Sequence, residues 1–97
     1  MKVVWTEAAT RHLETIYAYL EVNSAFYAAN IVNRLVLAAD SLGDFPEMGH
    51  RFSESPDPSH RQIIQKPYRI IYRILKSQIE ILAVIHGARD SFFEAMR

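Results

Sequence analysis

Arg69, His86 and Arg89 are the side chains of this 97-residue chain best suited to chemistry. A guanidinium can hold a phosphate or a carboxylate through two parallel N–H bonds. An imidazole titrates near neutral pH, which makes His86 the one good acid/base candidate. Cations of this kind suit an acidic partner or nucleic acid. Each residue also has a plainer role. His86 can be a structural histidine at a strand end, bonded to backbone beside Gly87, and Arg69 a sheet-face cation. His60 reads as an exposed loop residue and Arg51 as loop surface or a member of an ion pair. Trp5, Tyr17, Tyr19, Tyr68 and Tyr72 read as core or its margin, with base stacking a minor option.

The elements that position these residues follow from periodicity. Residues 2–5 are a short apolar strand, and Thr6 can cap a helix with Glu7 at its positive end. Ala9, Leu13, Ile16 and Leu20 then step by 4, 3 and 4, giving one apolar helical face. Asn23 and Ser24 break the pattern. Ser24 can cap a second helix, in which Ala28, Val32, Leu35, Ala39 and Leu42 repeat the spacing and Gly43 stands at the C′ position. Helices joined so closely form an antiparallel hairpin, and its stripes need a further apolar layer.

Residues 44–59 hold Pro46, Pro56 and Pro58 and read as a long loop, functional or mobile. Three strands follow at 61–66, 68–76 and 79–86, separated by Pro67 and by a turn at Ser77 and Gln78, and ended by Gly87. On the middle strand Tyr68, Ile70, Tyr72 and Ile74 share a face that should pack on the helices. Arg69, Ile71, Arg73 and Leu75 share the other, expected to stay partly open to solvent or a partner. Residues 88–97 form a short amphipathic tail with Phe92, Phe93 and Met96. The expected architecture is α+β and one domain over 1–97: an N-terminal strand, an α-helical hairpin packed on an antiparallel sheet (β-α-α-β-β-β), and a short C-terminal tail.

Composition limits the function classes. The chain has no cysteine, so disulfides and thiolate metal sites are excluded; no metal and no cofactor are expected. No apolar run is long enough for a membrane helix, and no secretion signal precedes the first strand, so a cytoplasmic protein is expected. The zero net charge hides an asymmetry: residues 1–50 carry three Lys/Arg against six acids, residues 51–97 eight against five. A basic second half suits an acidic partner or nucleic acid.

Four segments, VVWTEAATRHLETIYAYL, LGDFPEMGHRF, RQIIQKPYRIIYRI and IEILAVIHGARD, occur in the order and at the spacing of one known family and span nearly the whole chain. The chain resembles the RelE/ParE superfamily of type II toxin–antitoxin toxins. The resemblance implies one of two activities on a shared fold: RelE-like members cleave mRNA on the ribosome, whereas ParE-like members poison DNA gyrase and cleave no RNA. Fold does not decide between them; the site must. Arg69 and Arg89 match the arginines of RNA-cleaving relatives, with His86 as the acid/base candidate. Where such relatives often carry a lysine pair or a glutamate on the second strand, this chain has His60, Arg61, Gln62 and Ile64. Where they carry a C-terminal tyrosine it has Phe92, Phe93 and Ala95, none of which moves a proton.

The nuclease set is therefore incomplete and no catalytic residue is assigned. The resemblance favours a ParE-like, growth-arresting gyrase inhibitor from a plasmid-stabilisation module. An mRNA endoribonuclease is the second reading, and a non-toxic antitoxin binder the third. It also implies a cognate antitoxin, whose acidic, amphipathic C-terminal segment wraps the toxin as a helix or an added strand. Antitoxin or target contacts are expected at Arg61, Arg69, Ile71, Arg73 and Leu75, along the hairpin and the open sheet face, and at His86, Arg89, Phe92 and Phe93 on the rim.

Overall fold

The computed structural model describes every residue except Ala88 and Arg97. Strand β1 (Lys2–Trp5) leads into helices α1 (Glu7–Glu21) and α2 (Ala25–Asp40); strands β2 (His50–Arg51), β3 (Arg61–Gln65), β4 (Tyr68–Ile74) and β5 (Gln78–His86) follow, then a short helix α3 (Phe92–Ala95). The strands form one sheet in the order β1-β5-β4-β3-β2. The expected helical hairpin on a sheet is present, but the sheet is mixed rather than antiparallel. The first strand pairs parallel with the last, Val3 opposite Ile79 and Trp5 opposite Ile81. From β2 to β5 the chain meanders antiparallel and returns to lie beside β1.

Thr6 joins strand to helix. Its Oγ1 accepts from Ala9 N (3.2 Å), capping α1, and donates to the Ile81 carbonyl (2.7 Å), fixing the end of β1 on β5. Ser24 caps α2 in the same way through Tyr27 N (3.1 Å). Gly43 is not the left-handed C′ residue of α2, because α2 runs on into a 3-10 turn and no glycine among the described residues has positive φ. A Cβ there would meet the Met1 carbonyl at 2.6 Å, so close approach of the N-terminus is what requires glycine.

The helical stripes bury Ala9, Leu35, Ala39 and Leu42 against Tyr68, Ile70, Tyr72, Ile79, Ile81 and Val84 of the sheet. A second cluster forms on the far face from Phe52, Ile71, Leu82, Ala83, Ile85 and Phe92. That face is not open as expected at Ile71, which is fully buried. The loop 52–60 lays Phe52 over it and α3 adds Phe92, their rings edge to face at 5.2 Å. Burying one large apolar side chain is worth about 1.5–3 kcal/mol, which favours seating the loop on the sheet. β5 carries an irregularity: Ile71 faces Ala83 while Tyr72 faces Ile81, so Leu82 is the extra residue of a bulge. Leu82 and Ala83 therefore join one cluster, and Ile81 and Val84 the other. No helix among the described residues is long and apolar enough to cross a membrane.

Candidate functional site

On the sheet face under the loop 52–60, the basic side chains already have acidic partners. Arg69, with only 16% of its side chain exposed, meets Glu54 in a two-pronged pair, NH1 to Oε1 at 2.6 Å and NH2 to Oε2 at 3.3 Å. Its guanidinium lies over the Phe52 ring at 5.5 Å, and its Nε is buried with no hydrogen-bond partner among the described residues. The bonds from Arg69 hold the Glu54 carboxyl below its ordinary value. Arg73 pairs with Glu80 on the neighbouring strand, Nε to Oε1 at 2.8 Å and NH2 to the same oxygen at 2.7 Å. His60 is not an exposed loop residue: 14% of its side chain is accessible. Its Nδ1 is 2.8 Å from Ser55 Oγ and its Nε2 is 3.3 Å from Asp57 Oδ2, while its ring packs on Phe92. The Asp57 carboxyl is held low, chiefly by hydrogen bonds from Ser59.

The register separates the residues that would have to act together in RNA cleavage. Tyr68 stands opposite His86, and Arg69 opposite Ile85. Directly opposed residues of an antiparallel pair project to the same face, and successive residues to opposite faces. Arg69 thus projects to the Phe52 face. His86 projects to the helical face, where its ring meets Tyr68 at 5.6 Å. Arg89 lies beyond the strand end with its guanidinium over the Tyr19 ring of α1 at 5.2 Å. Asp90 closes this corner by accepting the His86 N–H at 2.8 Å. Burial pushes the Tyr68 hydroxyl up, an effect that nearby Arg89 partly offsets.

The remaining sequence-predicted residues scatter. Arg61 spans the helical side of β3, donating to the carbonyls of Gly49 (2.6 Å) and Glu47 (3.1 Å), so it anchors the preceding loop. Leu75 is half-buried in the turn before β5, Phe92 is buried, and Phe93 remains 59% exposed.

Two positioning residues were absent from the sequence reading. Beyond Trp5 nothing continues β1, and the free edge of β5 is satisfied instead by His12 of α1, whose Nδ1 accepts from Val84 N at 3.1 Å. The proton then belongs on Nε2, which donates to the Ala95 carbonyl at 3.0 Å and ties α3 to the body. The signal was available: His12 stands three residues after Ala9, a polar side chain on the flank of the apolar stripe. Glu54, by contrast, had none, lying fifteen residues from its partner.

The chain matches the family model described as ParE toxin of type II toxin-antitoxin system, parDE, over residues 3–91. It is 35% identical to a Sinorhizobium fredii protein carrying the name toxin Y4kP, covering 89% of this chain and 88% of that one. It is 32% identical to toxin RelE2 of Caulobacter vibrioides, covering 91% and 97%. In fold it is similar to a chain of the chromosomal ParDE TA system from P. aeruginosa, with a TM-score of 0.77, 24% identity, and coverage of 89% of this chain and 95% of that one. With the family model spanning almost its whole length, the chain belongs to the ParE toxin family of type II toxin–antitoxin systems.

Proposed function

We propose that this toxin arrests growth by binding and inhibiting DNA gyrase, with no covalent chemistry of its own, as its resemblance to ParE-like members implies. The observation that favours this over RNA cleavage is the separation of the nuclease positions. A single phosphodiester cannot be held by Arg69 on one sheet face while His86 serves as acid or base on the other. Proton-transfer groups must stand within about 3 Å of the atoms they serve. Arg69 and Arg73 are also neutralised by Glu54 and Glu80, and a net charge of zero suits a protein target better than ribosomal RNA.

The toxin works in the cytoplasm and is held inactive by a cognate antitoxin from the same module. Apolar surface for such partners is exposed on the helical side, at Tyr19, Val22, Phe26 and Tyr27 around the hairpin tip. More is exposed at Leu37 on α2, and at Met48 and Ile64 beside the part of β3 that β2 leaves unpaired.

Induction of the toxin without its antitoxin should arrest growth and raise a DNA-damage response, and the His86→Ala variant, if folded, should do the same. Codon-dependent mRNA cuts that vanish in H86A would replace this reading with the endoribonuclease one, and normal growth on strong induction with the non-toxic one.

A further inference from the structure

We propose that Glu54 is a built-in plug that withholds an oxyanion site at Arg69 from phosphate. The guanidinium offers the two parallel N–H donors that suit a phosphate as well as a carboxylate, and both are taken by one carboxylate from within the chain. The site is built rather than incidental. The guanidinium lies over a fully buried Phe52 ring, the Arg69 side chain is 16% exposed, and its Nε is buried, so the stem of the fork is confined. The plug is the exposed member, with 53% of the Glu54 side chain accessible on a loop residue, and it can swing away. Phe52 and Ser55 on either side of it are buried, so the loop keeps its seat when the carboxylate leaves.

A tethered carboxylate competes with a free oxyanion at the high effective concentration of an intramolecular partner. At neutral pH Glu54 is ionised, since Arg69 holds its carboxyl low. Arg69 is therefore occupied in the resting chain, although its position matches an arginine of RNA-cleaving relatives. The inference rests on the reading that this toxin does not cleave RNA, and gives one cause for it.

The test uses the full chain labelled with 15N, titrated with inorganic phosphate and separately with the dinucleotide UpU. Binding is read at the Nε–H resonance of Arg69, which its burial protects from rapid exchange. Glu54→Gln should bind phosphate about fivefold to tenfold more tightly than the unaltered chain, the range lost with an exposed two-pronged ion pair. Glu54→Ala serves as a second probe, and E54Q combined with Arg69→Gln should abolish the gain. A response to UpU as well as to phosphate identifies an RNA backbone as a ligand; a response to phosphate alone restricts the site to the free anion. Equal affinities in the unaltered chain, E54Q and E54A would overturn the plug, as would a gain that persists without Arg69. RNA cleavage by the unaltered chain would overturn the functional reading instead, and the phosphate titration would still decide the plug.

Discussion

Substituting His12→Ala should destabilise the toxin far more than a half-exposed polar residue on a helix normally would. The imidazole makes two bonds, one of them to a buried amide. It accepts from Val84 N at 3.1 Å and donates to the Ala95 carbonyl at 3.0 Å. Val84 is 3% exposed, so without His12 its N–H is left buried and unsatisfied, at a cost of about 1–3 kcal/mol. The Ala95 carbonyl lies at a cleft lined by Thr15, Arg89 and Ser91, where water can reach it, so its loss adds only about 0.5–1 kcal/mol. The expected total is about 2–4 kcal/mol, or a fall in Tm of roughly 10–25 °C for a domain of this size. His12→Phe keeps the ring volume and removes both bonds, and should lose nearly as much. Calorimetry or urea unfolding gives the stability. Native-state hydrogen exchange at the Val84 amide gives the local cause, which should change from slow to fast. A loss below about 0.5 kcal/mol with Val84 still protected would refute the assignment of His12 as the cap of the free β5 edge.

Other consequences are more local. The Tyr72 hydroxyl donates to the Pro46 carbonyl (2.7 Å) and accepts from the buried Gly49 N (3.0 Å), so Tyr72→Phe should cost about 1–3 kcal/mol and expose the loop 44–49 to proteolysis, measured by urea midpoint and limited digestion. The Glu54–Arg69 pair should add an acid limb to stability. The folded-state value of Glu54 lies below the ordinary 4.5, so the contribution is complete above about 4.5 and disappears as pH falls through the folded value. With Glu54 half exposed the effect is at most about 1 kcal/mol. E54Q should therefore be less stable than the unaltered chain at pH 7 and equal to it near pH 2, as read by urea midpoints across that range.

The elements were legible in the sequence because local chemistry determines them. The 4-3-4 steps from Ala9 to Leu20, and the hydroxyls of Thr6 and Ser24, act within one or two helical turns. What could not be read depends on distant parts of the chain. Residues 2–5 are a plausible strand in isolation, but nothing local selects β5 as their parallel partner. The run Ile81-Leu82-Ala83-Val84-Ile85 is apolar throughout, so it carries no alternation from which the extra residue Leu82 could be detected. Phe52 stood among serines, prolines and acids, and read as loop until the sheet gave it a surface to cover. For the site, the sequence singled out Arg69, His86 and Arg89 by residue type alone. Their division between two faces follows from the register across the Pro67 turn, in which Tyr68 meets His86 and Arg69 meets Ile85. Glu54 was unreadable, because an acid in a loop becomes a plug only once the fold brings Arg69 beneath it.

The most direct test of a toxin that acts by binding is a supercoiling assay with purified gyrase, relaxed plasmid and ATP. The toxin should inhibit supercoiling or trap cleaved DNA, and addition of the antitoxin should relieve the effect, with mRNA on translating ribosomes left intact in a parallel reaction. Unchanged gyrase activity at a large molar excess of folded toxin, together with mRNA cuts in that parallel reaction, would contradict the account.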